Sequence, residues 1–200
     1  MIPELTAAII AGGKSKRFGA QKATAQLAGK RLIDYALALA KNLSEEVLLN
    51  VNNADPFIDV SADIIPDLQP DCGPLGGIYT VLQAAKTEWI AILPCDMPLL
   101  SKNIYEILFA NRRDNLPVVA VSHRGVEPLV SIWPKEIGES EIWKSVFDSR
   151  NYSLRQLLRS LNAEEVFIPD KTPDYRTEYF LNVNNQNDLN ELQQFMGKRS

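Results

Sequence analysis

The stretch that decides the fold is LTAAIIAGGKSKRFGAQK, residues 5–22. It begins with a short apolar run that is typical of a buried strand. The run ends in Gly12 and Gly13, which have no Cβ and can adopt positive φ, so the backbone there can approach phosphate oxygens and point several N–H groups at them. Arg17 and Lys22 add full positive charges on the same loop. A strand that leads into such a loop predicts a site for a triphosphate.

The loop is neither of two common phosphate-binding motifs. The chain contains no G-x-x-x-x-G-K-[ST] string, and the loop is not the G-x-G-x-x-G turn of dinucleotide-binding proteins. Taken alone, it also fits a glycine-rich turn with solvated lysines, because such turns are common in α/β folds. Other parts of the chain have to decide between these two interpretations.

Composition favours a globular protein with one local anion site. The 200 residues suit a single domain with one sizeable core. The net charge of −4 argues against a nucleic-acid-binding protein, which usually presents a basic face. The basic residues nevertheless concentrate near the N-terminal loop, where they favour a single anion site over a polyanion track. They are Lys14, Lys16, Arg17, Lys22, Lys30 and Arg31.

Cysteine, histidine and hydropathy patterns exclude several other classes. Cys72 and Cys95 are the only cysteines and His123 is the only histidine, so neither a zinc site nor a histidine-dependent triad is expected. No apolar segment approaches the roughly 18–20 residues of a membrane span. Glu4 stands where a secretory signal peptide would carry basic residues. We expect a cytoplasmic protein with reduced cysteines and no contact with membranes.

Alternating apolar runs and helical patterns predict an α/β fold. Strands are expected at residues 5–10, 47–51, 64–65, 90–93, 118–121, 129–133 and 166–168. Helices are expected within residues 32–43, 78–85, 101–108, 153–161 and 187–196. This order predicts a doubly wound, mainly parallel sheet and a single continuous domain over residues 1–200. The less regular segment 124–150 is expected to leave the nucleotide-binding core.

Polar strings follow three of the expected strands, at residues 11–17, 50–53 and 95–96. Ligands of doubly wound sheets bind beyond the carboxyl ends of the strands, so these strings should meet. Asp96 lies between Pro94 and Pro98, which stiffen its turn. Its carboxylate is suited to Mg²⁺, which accepts few protein oxygens while phosphates supply others. On local grounds, an aspartate that caps a helix or turn is the alternative.

Two more segments are compatible with the same site. The turn PDCGPLGGI at residues 70–78 opens a helix whose N–H groups could face a ribose or base, although Gly-Pro turns also simply connect elements. In the string NVNN at residues 182–185, Asn184 could be a neutral oxygen ligand of the same metal. Asn185 could equally serve as the cap of the last helix.

Taken together, five strings resemble the family of molybdenum cofactor guanylyltransferases, often called MobA, within the nucleotidyltransferase superfamily. They occur in the expected order over nearly the whole chain, and the first, third and fourth together are specific. A sixth string, EPLV at residues 127–130, resembles the substrate-side strand of the family. The five are IAGGKSKRFG (10–19, followed by Lys22), LAGKRLI (27–33), GPLGGI (73–78), PCDMP (94–98) and FLNVN (180–184).

For the nucleotide, the resemblance implies a GTP site in the N-terminal half of a Rossmann-like nucleotidyltransferase fold. Asn50 and Asp67 would bind the base and ribose side. The backbone of the first loop would read the guanine edge and approach the phosphates. Its residues are Ile10, Ala11, Gly12 and Gly13.

For catalysis, the resemblance implies Mg²⁺ as cofactor, with Asp96 as its ligand. Lys22 would contact the phosphates and Arg17 would steady the leaving pyrophosphate. Asn184 would act near the metal and the incoming phosphate. The family usually has Met at position 18 and Asp at position 21, where this chain has Phe18 and Gln21. The second change removes a charge beside Lys22 and leaves the lysine more available to phosphate.

The implied activity is transfer of GMP from Mg·GTP to the terminal phosphate of molybdopterin-bound molybdenum, with pyrophosphate as the second product. The acceptor would bind in the C-terminal half, against residues 124–130 and 182–184. Partner proteins from cofactor synthesis or molybdoenzymes are compatible with this assignment. Two alternatives stay open: a cytidylyl- or sugar-1-phosphate nucleotidyltransferase, and a non-catalytic GTP-binding protein that delivers the cofactor.

Overall fold

The structure, a computed structural model, describes residues 1–12, 22–113 and 115–197. The strands within these ranges are β1 (Leu5–Ile10), β2 (Gln26–Leu27), β3 (Lys30–Arg31), β4 (Glu46–Asn50), β5 (Asp63–Ile65), β6 (Trp89–Pro94), β7 (Val118–Ser122), β8 (Gly125–Pro134) and β9 (Glu164–Phe167). The helices are α1 (Leu32–Leu43), α2 (Pro74–Ala84), α3 (Lys102–Ala110), α4 (Ile142–Ser149), α5 (Leu154–Ser160), α6 (Ile168–Lys171) and α7 (Gln186–Gly197).

A mainly parallel sheet of seven strands organises the described residues, in the order β5-β4-β1-β6-β8-β7-β9. Strand β8 pairs antiparallel with both β6 and β7, whereas the other neighbours pair parallel. The start of β8 therefore lies at the same edge of the sheet as the ends of β1, β4 and β6. Polar residues that follow those three strands and precede β8 are brought to one edge.

Helices cover both faces of this sheet, because alternate residues of each strand point to opposite sides. Along β1, Ala7 and Ile9 belong to the core that contains α1, α3 and α6. Ala8 and Ile10 belong to the core that contains α2, α4 and α5. A smaller third cluster joins the hairpin of β2 and β3 to α7 through residues such as Leu27 and Leu189. The single doubly wound domain expected from the sequence is confirmed.

Two local expectations are wrong. Segment 124–150 does not leave the core, because β8 lies near the middle of the sheet between β6 and β7. Its strand periodicity is hard to see in the sequence because the ladder with β7 shifts register between Val119 and Ala120. The strand expected to end at residue 168 ends at Phe167, and Ile168 begins the short helix α6. Pro169 near its start favours this change, because its fixed φ suits the first helical turn.

Helix α2 lies very close to β1 and β4, and two glycines make this possible. A Cβ at Gly77 would lie 2.3 Å from Oδ1 of Asn50 and 3.2 Å from Cγ2 of Ile10. A Cβ at Gly76 would lie 2.5 Å from the carbonyl oxygen of Gln69. The GPLGG turn is therefore needed for close packing of the helix, whatever else it contributes.

We predict that Gly77→Ala destabilises the fold by about 1–3 kcal/mol, the usual effect of overpacking. Asn50 has to move, since the new methyl group would occupy the space of its amide oxygen. The control is Gly197→Ala at the end of α7, where a Cβ meets nothing within 4 Å. Urea denaturation of both variants measures the difference. Equal free energies of unfolding would contradict the packing argument.

Candidate functional site

The carboxyl edge of the sheet holds a cavity of about 430 Å³ beside β1 and β4. Its walls come from the first loop, from the segments after β4 and β5, and from the turn before α2. The lining residues are Ala11, Gly12, Lys22, Ala23, Val51, Asn52, Asn53, Phe57, Asp67, Asp71 and Gly73. The cavity thus lies where the sequence pattern places a nucleotide, and most of its polar groups follow strand ends.

At one side of this cavity, Lys22 joins two residues that are distant in sequence. Its Nζ donates to Oδ2 of Asp96 at 2.6 Å and to Oδ1 of Asn184 at 2.9 Å. The side chains of Lys22 and Asp96 are 16% and 21% exposed, so the pair is partly shielded from solvent. The fold brings together three of the four residues expected to carry the chemistry.

The position of Asp96 is fixed by its backbone. Its carbonyl oxygen accepts a hydrogen bond from the N–H of Val183 at 2.9 Å, which attaches the segment before α7 to the end of β6. The second carboxylate oxygen, Oδ1, is buried and has no hydrogen-bond partner among the described residues. A buried carboxylate oxygen without a partner is unfavourable unless a ligand completes it. Asp96 is therefore poised to bind a cation or donor through Oδ1.

The alternatives weighed for Asn184 and Asn185 are resolved by the local hydrogen bonds. Oδ1 of Asn185 accepts from the N–H groups of Asn187 at 2.8 Å and Asp188 at 3.1 Å, so Asn185 caps α7. The N–H of Asn184 donates to Oδ2 of Asp188 at 2.5 Å. The cap expected at Asn185 is confirmed, and the adjacent Asn184 accepts a hydrogen bond from Lys22.

On the opposite side of the cavity, two asparagines hold Asp67. Nδ2 of Asn50 donates to Oδ1 of Asp67 at 2.9 Å, and Nδ2 of Asn52 donates to Oδ2 at 2.7 Å. The N–H of Asp67 donates in turn to Oδ1 of Asn52 at 2.9 Å. Because β4 and β5 are parallel neighbours, the residues that follow them reach each other directly.

Asn50 is more deeply buried than Asn52 and Asp67. It is only 1% exposed, and its Oδ1 is buried between Gly12 and Gly77 with no hydrogen-bond partner in the described part of the chain. Its Nδ2 is used by Ile65 and Asp67. Asn50 therefore supports the cavity wall from below, and Asp67 is the more accessible of the two expected binding residues.

Arg31 stabilises the cavity wall that contains Phe57. Its guanidinium group donates to Asp34 at the start of α1, to Asp59 and to the carbonyl oxygen of Pro56. The hydrogen bonds from Arg31 lower the pKa of Asp59 and raise the pKa of Arg31 itself. Although ion pairs this exposed contribute little each, the five-donor guanidinium joins the 55–59 segment to α1.

The expected acceptor side is built around the start of β8. Glu127 is a buried carboxylate that accepts a hydrogen bond from Oγ of Ser122 at 2.7 Å. The exposed ring of His123 stands edge-on to Tyr175 and Phe167, with centroids 5.2 and 5.6 Å away. This agrees with the expectation that His123 is a surface or structural residue. The start of β8 and the Asn184 segment flank the end of β6.

Several site residues were not identified from the sequence. Val51, Asn52, Phe57 and Asp71 line the cavity, but only Asn50 of the 50–53 string is expected to bind. Asn52 could be inferred from the sequence, because it lies two residues after Asn50 and residues two apart in an extended chain share a face. The sequence gives no such indication for Phe57, since its position depends on the segment held by Arg31. Gly13 and Arg17 lie outside the described residues, so their expected roles are untested.

The described residues show neither a cluster of three metal-binding side chains nor a membrane-spanning helix. Within residues 1–12, 22–113 and 115–197, no three His, Cys, Asp or Glu side chains cluster in a way that could hold a metal ion. None of the helices in the same ranges is long and apolar enough to cross a membrane.

The parallel sheet with one reversed strand, and the loop-lined cavity at its carboxyl edge, are typical of α/β proteins that bind a ligand beyond the carboxyl ends of their strands. The family described as "MobA-like NTP transferase domain" matches residues 7–166, and the chain belongs to this family.

Relatives over the full length support this membership. A protein of Carboxydothermus hydrogenoformans named "Probable molybdenum cofactor guanylyltransferase" is 33% identical over 193 residues, covering 94% of each chain. A protein of Thermococcus kodakarensis with the same name is 31% identical over 192 residues, covering 92% of each.

Solved structures show the same fold. A crystal structure of an Aquifex aeolicus protein is 28% identical, with a TM-score of 0.75 over 90% of this chain and 94% of that one. Molybdopterin-guanine dinucleotide biosynthesis protein A from Archaeoglobus fulgidus has a TM-score of 0.78 at 20% identity, over 96% and 99%. A CMP:2-keto-3-deoxy-manno-octonic acid synthetase complexed with CTP has a TM-score of 0.70 at 13% identity, over 98% and 99%. The fold by itself therefore does not select the base.

We predict that Cys95, next to Asp96, is unreactive at neutral pH. Burial, and then the charge of Asp96, raise the pKa of its thiol to about 12, so the thiol stays protonated below that pH. Since the thiolate is the nucleophile, Cys95 at pH 8 should react on the order of a thousandfold more slowly than an ordinary cysteine. Ellman's reagent with a Cys72→Ser variant measures Cys95 alone, with the denatured variant as control. Rapid titration of the folded variant would contradict the prediction.

Proposed function

We propose that this protein transfers GMP from Mg·GTP to the terminal phosphate of the molybdenum-loaded molybdopterin cofactor, giving the guanine dinucleotide form and pyrophosphate. The observation that carries the proposal is the meeting of Lys22, Asp96 and Asn184 beside a nucleotide-sized cavity. The names of relatives at 31–33% identity over more than nine-tenths of the chain support guanine as the base and this cofactor as the acceptor.

The reaction needs positioning and charge neutralisation more than proton transfer. An oxygen of the acceptor phosphate attacks the α-phosphorus, the bond to the bridging oxygen breaks, and pyrophosphate leaves with that electron pair. The attacking oxygen is already an anion, so no general base is required. Fixed positive charges lower the barrier by stabilising the charge that develops on the phosphates.

The residues around Asp96 fit a magnesium ion. Oδ1 of Asp96 is buried and lacks a partner among the residues described, and the amide oxygen of Asn184 is a second hard oxygen ligand nearby. We assign these two residues to hold Mg²⁺. When bound, Mg²⁺ neutralises phosphate charge and polarises the α-phosphate for attack.

Lys22 can interact either with Asp96 and Asn184 or with the triphosphate. In this structure its ammonium group pairs with Oδ2 of Asp96 and contacts Oδ1 of Asn184, so Lys22 shares both side chains with the proposed metal site. A divalent ion held by Asp96 and Asn184 would repel the adjacent ammonium group. Lys22, which already lines the cavity, would then be available to the triphosphate there. Arg17, from the same loop, is proposed to stabilise the leaving pyrophosphate.

The two substrates divide the cleft. The backbone of Ile10, Ala11, Gly12 and Gly13, with Asn50 and Asp67, is assigned to GTP. Ala11, Gly12 and Asp67 line the cavity and Asn50 supports its wall, which favours this assignment. Residues 124–130 and 182–184 are assigned to the acceptor. The antiparallel direction of β8 supports this division, since it places Glu127 at the edge where β6 ends. In-line displacement requires the acceptor phosphate to stand opposite the pyrophosphate, on the Asn184 side.

The first experiment measures pyrophosphate release by the purified protein with Mg²⁺, molybdenum-loaded molybdopterin and either GTP or CTP. We expect turnover with GTP and at least about tenfold weaker binding of CTP, because mismatched base edges leave buried groups unpaired at about 1–3 kcal/mol each. Preferred turnover of CTP would indicate a cytidylyltransferase. GTP binding without turnover would indicate a delivery protein.

The second prediction concerns competition between Lys22 and the metal. Without nucleotide, Lys22→Met should bind Mn²⁺ more tightly than the wild type, because the resident cation is gone. Asp96→Asn should abolish this binding and lower turnover roughly 10²–10³-fold, as for loss of one catalytic electrostatic contact. Electron paramagnetic resonance of free Mn²⁺ measures binding, with Lys102→Met as a control at an exposed ion pair. Weaker Mn²⁺ binding in Lys22→Met would contradict the competition.

A further inference from the structure

Asp67 lines the cavity and is held there by neutral side chains. None of the ion pairs formed within the described ranges involves Asp67. Its carboxylate is held instead by two neutral amide groups, one on each oxygen. Both oxygens of Asp67 are therefore oriented by neutral hydrogen-bond donors.

A carboxylate has about four lone-pair positions, so two amide donors leave one position free on each oxygen. Asp67 lines the cavity, so a ligand there has access to its carboxylate. Two parallel acceptors match a ligand edge with two neighbouring donors. A nucleoside offers such an edge twice: the N–H and amino groups of guanine, and the two hydroxyl groups of ribose.

The two asparagines that hold Asp67 differ in accessibility. Asn50 is buried under the cavity wall, where its position is set by β4 and by close contact with α2. Asn52 is exposed, lines the cavity, and uses both ends of its amide on Asp67. Such a two-bond ring fixes the rotation of the amide and the carboxylate together.

The backbone on the far side of Asp67 is fixed as well. The N–H of Leu68 donates to Oγ1 of Thr80 at 2.8 Å, and that hydroxyl donates to the carbonyl oxygen of Gly76 in α2. With Leu68 attached to α2 and the N–H of Asp67 bound to Asn52, rotation of the Asp67 side chain is the main freedom left. Asn52 removes that freedom on the exposed side.

From these contacts we infer that Asn52 is a positioning residue that sets nucleotide selectivity by presenting both oxygens of Asp67 to a two-donor edge of the nucleoside. The inference rests on the proposed assignment of the cavity to GTP. Asn52 acts through Asp67, and no direct contact between Asn52 and the nucleotide is required.

The experiment compares binding of GTP, ITP and 2′-deoxyGTP to the wild type and to Asn52→Ala by calorimetry. ITP lacks the amino group of guanine, and 2′-deoxyGTP lacks one ribose hydroxyl. The wild type should bind one analogue roughly tenfold to a hundredfold more weakly than GTP, as expected for one hydrogen bond to a charged group. The analogue that is penalised identifies the edge. Asn52→Ala should weaken GTP and lose most of that penalty.

Two variants separate positioning from a merely structural effect. Asn52→Asp replaces a donor with a like charge against Asp67, so it should weaken GTP more than Asn52→Ala does. Asn53 lines the same cavity, but its Oδ1 accepts a hydrogen bond from the N–H of Asp55. Asn53→Ala should therefore keep the wild-type discrimination between GTP and the analogues. Thermal melting confirms that each variant is folded.

A double-mutant cycle with Asp67→Ala completes the test. Asn52→Ala should have no further effect in the Asp67→Ala background. Unchanged GTP binding in Asn52→Ala, or unchanged discrimination in it, would overturn the inference and leave the proposed function standing. Unchanged GTP binding in Asp67→Ala would overturn the assignment of the cavity to GTP as well.

Discussion

The ammonium group of Lys22 lies between two oxygens from distant parts of the chain, one on Asp96 and one on Asn184. This contact depends on the parallel sheet, which delivers the residues after β1 and β6 to one edge, and on the Val183–Asp96 backbone bond, which brings in the C-terminal segment. The same contact leaves one Asp96 oxygen buried without a partner in the described structure. Lys22 therefore connects the edge of the sheet, the C-terminal segment and the residues assigned to the metal.

The two sides of the cavity use opposite electrostatic arrangements. At the proposed phosphate side, the carboxylate of Asp96 is paired with Lys22. At the proposed nucleoside side, the carboxylate of Asp67 is oriented by the neutral amides of Asn50 and Asn52. Under the proposed function, metal and phosphate bring large charges that are exchanged during the reaction, whereas recognition of a nucleoside requires acceptors held in one direction. The arrangement around each carboxylate suits the type of partner proposed for it.

Close packing connects these sides. Gly77 permits α2 to lie against Asn50, and Asn50 in turn supports Asp67. The turn before α2 also lines the cavity through Asp71 and Gly73. The GPLGG string thus serves packing and site shape together, which explains why local sequence reasoning could not choose between a simple connection and a binding turn.

The sequence by itself determined the alternation of strands and helices, hence the doubly wound class, and it identified the strand ends beside which the cavity lies. These are local properties, set by periodicity, glycine and proline. Only the tertiary structure decided the central place of β8, whose register shift disrupts its pattern, and the pairing of Lys22 with Asp96 and Asn184. It also decided that Asn52 holds Asp67 and that Arg31 fixes the Phe57 segment. Such contacts join residues from different chain segments, and their geometry follows from packing and hydrogen bonding that no local pattern encodes.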